Sequence, residues 1–142
     1  MSDIETQMIF TGADIDTLAR TVYGEARGES EEGRFAVAWV VCNRTANPGW
    51  WGTSIESVCR KEWQFSCWNK NDPNRVRIQA ANLDMETFRQ CLLAAAAVLG
   101  GFVKDPTGGA THYHAEGSNP AWKDGREPCA TIGKHIFYKG IK

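Results

Sequence analysis

The sequence predicts a mostly α (α+β) class: a single domain with a buried central helix and a long irregular C-terminal portion. Three observations predict it. Apolar residues recur at i, i+3, i+4 and i+7 near the start of the chain and again between residues 85 and 99. Gly and Pro crowd roughly the last forty residues. Only one stretch there, Thr131 to Tyr138, alternates as a short strand does. A length of 142 residues is enough for one such domain with a real core.

The elements follow in order. Met1 to Thr11 reads as a loose leader, which places a boundary between a leader over 1–13 and a domain over 14–142. The first helix is expected over Asp14–Ala26, with Ile15, Leu18, Ala19, Val22 and Ala26 on one face. A second begins near Ser30, with Glu31 and Glu32 in its first turn, where negative charge suits the helix dipole. It runs through Phe35–Cys42 to about Arg44 and is apolar on all sides, so it should be the central buried helix. Asn47-Pro48-Gly49 breaks it. Thr53-Ser54-Ile55-Glu56 resembles a capping box opening a short helix through Cys59. From Glu62 to Asn82 the chain is polar and rich in turn residues. A last helix, capped by Asn82 or Asp84, carries Met85, Phe88, Leu92, Ala95 and Leu99 on one face and stops at Gly100-Gly101.

Composition excludes several classes. Sixteen basic and 17 acidic residues nearly balance, which disfavours a protein relying on a strong positive field to find nucleic acid or anionic membrane. The first dozen residues lack a basic start followed by an apolar stretch, so no secretory signal is expected. The longest apolar runs, Phe35–Cys42 and Cys91–Leu99, are too short to span a bilayer. A soluble monomer made in the cytoplasm without its own export signal is the expectation. Five cysteines, an odd count without a CxxC pair, leave at least one thiol free and offer no zinc-finger spacing.

Chemistry concentrates at Glu25 and Glu29, in the run Gly24-Glu25-Ala26-Arg27-Gly28-Glu29. At about 100° per residue, Glu25 falls at the edge of the first helix's apolar stripe and Glu29 closer to its centre. Gly24 and Gly28 make a helix end plausible there. A carboxyl at a helix C-terminus faces the negative end of the dipole, and apolar neighbours penalise its ionised form, so both effects favour the protonated acid. A general acid for glycosidic cleavage needs that form. Spacing alone favours the plainer alternative, two solvated surface glutamates.

Two further clusters stand out. Of six tryptophans, Trp39 belongs to the central helix, whereas Trp50, Trp51, Trp63, Trp68 and Trp122 fall in expected loops. There they either stack on sugar faces or plug the core from its edges, and composition does not separate the two. His112-Tyr113-His114 offers an HxH pair, but a catalytic zinc site needs a third ligand and an open position. His135 or Glu116 could supply one, yet no spacing ties either to the pair, so packing and hydrogen bonding are favoured.

Five strings, in order, resemble the SleB-like cell wall hydrolases, which include spore-cortex-lytic enzymes and phage and prophage lysins. They are Leu18 through Glu29; Ala36–Arg44, ending in Asn43-Arg44, with Thr53–Val58 after it; Gln64-Phe65-Ser66-Cys67-Trp68; Thr111–Ala115 with Asn119–Trp122; and Ile132–Tyr138. The resemblance covers about residues 14 to 139. It implies a lysozyme-like fold and an enzyme that cuts peptidoglycan glycan strands between N-acetylmuramic acid and N-acetylglucosamine. It maps the catalytic glutamate onto Glu25. Glu29 is the obvious second carboxylate, expected to support Glu25 by tuning it or placing a water; the alternative is an ion pair with Arg27 or Arg44 that takes no part in the chemistry. Gln64, Ser66, Tyr113 and His114 are then expected to make polar contacts to substrate, and Trp63, Phe65, Trp68 and Trp122 to wall the cleft. No metal or other cofactor is expected.

Well-studied members resemble lytic transglycosylases, which leave a 1,6-anhydromuramic end. The alternatives are a muramidase with the same acid, a zinc amidase using the histidines, and a noncatalytic sugar-binding module. Spore-cortex enzymes typically carry an export signal and a wall-binding region, neither visible here. That points to a phage or prophage endolysin, acting on the wall once a separate membrane-disrupting protein releases it.

Overall fold

In the computed structural model, residues 10–61 and 64–141 are described. Five α-helices precede a small antiparallel sheet. Helix α1 (Gly12–Ala26) opens two residues before the expected Asp14, because Thr11 and Asp14 form a reciprocal capping box that satisfies the first free N–H groups. Residues 1–9 of the expected leader lie outside the described residues. Helix α2 (Glu31–Ala46) is capped by Ser30, whose hydroxyl accepts from the Gly33 N–H. Its capping side and acidic first turn are those expected.

Helix α3 (Ile55–Arg60) also has a capping box, but one residue later than expected: Ser54 and Ser57 reciprocate, rather than Thr53 and Glu56. Helix α5 (Glu86–Leu99) starts after Met85, while Asn82 instead accepts from the Asp84 N–H in the preceding turn. Between them the expected run of turns contains a helix, α4 (Pro73–Ala80). Asp72 caps it through the Asn74 N–H and Pro73 occupies its first turn, a strong start signal. It escapes a periodicity reading because Ile78 alone of its residues is buried.

The principal core gathers Leu18, Val22, Val37, Val41, Val58, Phe65, Ile78, Phe88 and Cys91 where α1 meets α2, α3, α4 and α5. The opposite side of α2, through Ala36 and Val40, meets a second cluster with Ala110, Ile132 and Phe137. Helix α2 thus lies between two apolar clusters, as its all-round apolar surface requires. All five cysteines are free. No helix among the described residues is long and apolar enough to cross a membrane.

The C-terminal portion is more ordered than expected. Strands β1 (His112–Ala115), β2 (Ala130–Ile132) and β3 (His135–Tyr138) form an antiparallel sheet of order β1-β3-β2. The alternating stretch Thr131–Tyr138 is two strands, not one: it reverses at Gly133, whose φ of +57° suits a residue without a side chain. Tyr113 pairs with Phe137, and His114 with Ile136. Directly opposed residues share a face, so Tyr113, His135 and Phe137 look toward the helices, and His112, His114 and Tyr138 lie on the opposite face.

The end of α2 fixes where this sheet sits. Asn43 donates to Asp105 (2.8 Å) and to the Ala110 carbonyl (2.9 Å), and Arg44 donates from Nε to the Thr111 carbonyl (2.6 Å). Asp105 in turn accepts from Thr107 and the Gly109 N–H. The loop entering β1 is thereby tied to the central helix.

Candidate active site

Glu25 is the penultimate residue of α1 and only half-buried. It opens into a cleft of about 320 Å³ lined also by Arg44, Gln64, Phe65, Tyr113, His114, Trp122 and His135. Three parts of the chain converge there: the C-terminal ends of α1 and α2, the loop before a 3-10 turn at Ser66–Trp68, and the sheet with its 3-10 turn at Ala121–Lys123. Close approach depends on Gly24. A Cβ at that position would stand 2.6 Å from the Cys67 Cβ, so any side chain would push the 3-10 turn away from α1.

The Tyr113 hydroxyl donates to Glu25 Oε1 at 2.5 Å. Burial, then the charge and hydrogen bond of Glu25, hold that phenol well above its ordinary range. Burial and then Glu25 likewise push the Cys67 thiol up. Both groups are therefore neutral, and Tyr113 acts as a donor. Arg44 is buried, its guanidinium 5.0 Å from the centre of the Phe65 ring. Burial lowers its pKa, against the neighbouring Tyr113, Cys59 and Glu25, which favour its charge. Its Nη1 is buried without a hydrogen-bond partner among the described residues.

Glu29 lies elsewhere than expected. Helix α1 has ended at Ala26, so Glu29 sits in the turn to α2 rather than on the apolar stripe. Its Oε1 accepts from the Lys134 N–H (2.9 Å) and stands 3.8 Å from His135 Nδ1. The proposed partners are engaged otherwise: Arg27 donates to the Tyr23 carbonyl and Asn74, and Arg44 to Thr111. The His135 ring lies between Glu29 and Tyr113, with 4.8 Å between the two ring centres. Burial lowers the His135 pKa, and Glu29 opposes this.

The other sequence-derived candidates divide. Gln64, Phe65, Tyr113, His114 and Trp122 line the cleft with Glu25. Trp68 points into the core instead, its indole N–H donating to Thr21 (2.9 Å) and its ring covered by Arg60. Ser66 is exposed at the start of the 3-10 turn, outside the cleft lining. Trp63 lies outside the described residues. His112 and His114 share the sheet face opposite to that of Tyr113: His112 packs edge-on against Trp51 and Trp122, and His114, while bordering the cleft, pairs with Tyr138 Oη at 3.1 Å. Among the described residues no three His, Cys, Asp or Glu side chains are grouped to hold a metal ion.

Arg44 and His135 were not among the expected substrate contacts. An arginine ending an otherwise apolar helix was the available signal for the first. His135 had only its place in an alternating stretch.

The sequence profile of a family described as Cell Wall Hydrolase matches residues 28–138. The spore cortex-lytic enzyme of Halalkalibacterium halodurans is 34% identical over 129 residues, 90% of this chain and 35% of that protein. That of Bacillus subtilis is also 34% identical, over 90% of this chain and 38% of its own length. The chain thus spans somewhat more than a third of these relatives. Among solved structures, the catalytic domain of the Bacillus cereus SleB protein superposes with a TM-score of 0.73 at 30% identity, covering 92% of this chain and 93% of that one. The catalytic domain of the germination-specific lytic transglycosylase SleB from Bacillus anthracis gives 0.71, also at 30% identity, covering 92% and 97%. The fold is the mostly helical, lysozyme-like one expected.

Proposed function

This chain belongs to the cell wall hydrolase family, and we propose that it cleaves peptidoglycan glycan strands at the N-acetylmuramic acid–N-acetylglucosamine β-1,4 bond, as a lytic transglycosylase. One observation carries the reading: Glu25 stands at a helix C-terminus, facing a cleft, with one carboxyl oxygen held by Tyr113.

That arrangement suits an acid that later serves as a base. With Oε1 held by Tyr113, the carboxyl is oriented to pass a proton toward the glycosidic oxygen. Proton delivery breaks the C1–O bond as positive charge develops on the muramic ring, and the leaving saccharide departs as an alcohol. The carboxylate so formed accepts from Tyr113. It then takes the proton of the muramic C6 hydroxyl as that oxygen bonds to C1, closing the 1,6-anhydro ring and restoring the acid. No second nucleophilic carboxylate is needed; the substrate's acetamido group can share the charge.

The remaining residues position the substrate. Gln64 offers hydrogen-bonding groups to acetamido or hydroxyl oxygens, and Phe65 and Trp122 offer apolar wall. Glu29 is a positioning residue: it ties the β2–β3 turn, and with it His135, to the end of α1. A water in place of the C6 hydroxyl would make the same acid a muramidase. Mass spectrometry of digested sacculi separates the outcomes. Anhydro ends support the transglycosylase, reducing muramic ends the muramidase, and freed peptides overturn glycan cleavage. The relatives above are named for spore cortex lysis, so the endolysin setting draws no support from them.

A further inference from the structure

A second groove, about 720 Å³, lies beside the Glu25 cleft, between the turn after α2 and the end of β3. Trp50, Trp51, Pro48, Thr111, Lys139 and Ile141 line it. The turn Gly49-Trp50-Trp51-Gly52 is closed by a bridge between its two glycines, so both indoles are held at its tip. Trp51 turns inward, its N–H donating to the carbonyls of Arg44 (2.9 Å) and Asn47 (3.1 Å). Trp50 leans on it at 5.4 Å yet is half exposed. Trp50 thus presents a large, flat apolar ring at the rim of a concave surface.

The groove continues the catalytic surface. Trp51 lines the groove and Trp122 the cleft, and the His112 ring touches both, at 5.8 and 5.2 Å. Thr111 borders one and His114 the other, three residues apart along the chain, on the order of 10 Å. A polymer cut at Glu25 is longer than a 320 Å³ cleft and must leave it across a neighbouring surface.

Resting on the glycan-cleavage reading, we infer that this groove is a distal subsite for the same strand, in which an N-acetylated sugar ring stacks on Trp50 and its acetamido carbonyl accepts from the Lys139 ammonium. Pyranose rings present apolar C–H faces to an indole, and Lys139 supplies donors on the facing wall.

The test uses Glu25→Gln protein, so that ligands stay uncut, with calorimetric titration of N-acetylglucosamine oligomers three and six units long. The hexamer should bind on the order of tenfold more tightly than the trimer. Trp50→Ala in that background should remove the gain and leave trimer affinity unchanged, Trp50→Phe should restore part of it, and Lys139→Ala should lose less. Equal trimer and hexamer affinity overturns the subsite alone and leaves glycan cleavage standing. Trp50→Ala weakening both oligomers equally, at an unchanged melting midpoint, also overturns it. Binding of free stem peptide that Trp50→Ala abolishes overturns it in favour of a peptide site. If neither oligomer binds and Glu25→Gln still clears sacculi, the glycan reading falls and the subsite with it.

Discussion

The Tyr113 hydroxyl and the Glu25 carboxyl are 88 residues apart in sequence and 2.5 Å apart in space. That contact joins the sheet to the end of α1 across the floor of the cleft. The surrounding chemistry depends on it, since Tyr113 also packs on Phe137 and His135.

Glu25→Gln should remove wall-clearing activity by at least about 10³-fold, the scale expected for losing a positioned general acid. The half-buried side chain changes little in volume, so circular dichroism and melting should match the parent. Retention of more than a tenth of the turbidity-clearing rate would remove Glu25 from the chemistry.

Tyr113→Phe keeps the ring packed and deletes only the donor. We expect kcat to fall roughly ten- to hundred-fold through misplacement of the carboxyl, with KM little changed. Stability should drop by about 1 kcal/mol for the lost hydrogen bond. Steady-state kinetics on soluble glycan fragments separate the two constants; a rise in KM alone contradicts the positioning role.

Glu29 distinguishes a tie from a reacting group. Glu29→Ala should lower stability by about 1 kcal/mol, because the Lys134 N–H loses its acceptor. Glu29→Gln retains an acceptor oxygen and should stay within about threefold of parent activity. A Gln variant as inactive as Glu25→Gln would place Glu29 in the chemistry after all.

His112 makes stability fall with acidity. Burial, then the charges of Arg44 and Arg126, lower its pKa from the ordinary 6.5 to about 4. Between those values the unfolded chain takes up a proton that the folded chain refuses, so stability is full above pH 6.5 and declines toward pH 4. The loss amounts to roughly 2–3 kcal/mol. Urea unfolding at several pH values should show it, and His112→Gln should flatten that part of the curve. Identical slopes for both proteins contradict the assignment.

Trp68→Phe should cost stability, about 2 kcal/mol for the lost volume and the Thr21 hydrogen bond. Its specific activity per folded molecule should be unchanged, whereas truncating a cleft wall would raise KM. Trp122→Ala provides that comparison.

Some of this was legible in the sequence and some was not. Helices α1, α2 and α5 bury long regular stripes, and periodicity reports such stripes directly. Helix α4 offers Ile78 as its one buried residue, so its start was written only in Asp72-Pro73. Strand β1 has just four residues, too few for alternation to register, and β2 and β3 merge in sequence across Gly133. Glu25 could be singled out only through the family resemblance of the run around it, since its helix-end setting alone reads equally as a solvated glutamate. Its partner Tyr113, and Arg44 beside it, are brought in by long-range packing through Asn43, Asp105 and Thr111. Phe65 and Trp68 show a different limit: both are buried aromatics three residues apart, and only the tertiary structure decides that one borders the cleft and the other does not.

The five unlinked cysteines have a consequence for durability. Burial pushes Cys42 and Cys59 up to about 12 and Cys91 to about 11, and raises Cys67 and Cys129 as well. The deprotonated sulfur is the species that attacks oxidants and disulfides. For Cys42 and Cys59 it amounts to on the order of one copy in 10⁵ at neutral pH. In an aerated, thiol-poor medium Cys42, Cys59, Cys67 and Cys91 should therefore stay reduced, protected by packing rather than by bridges.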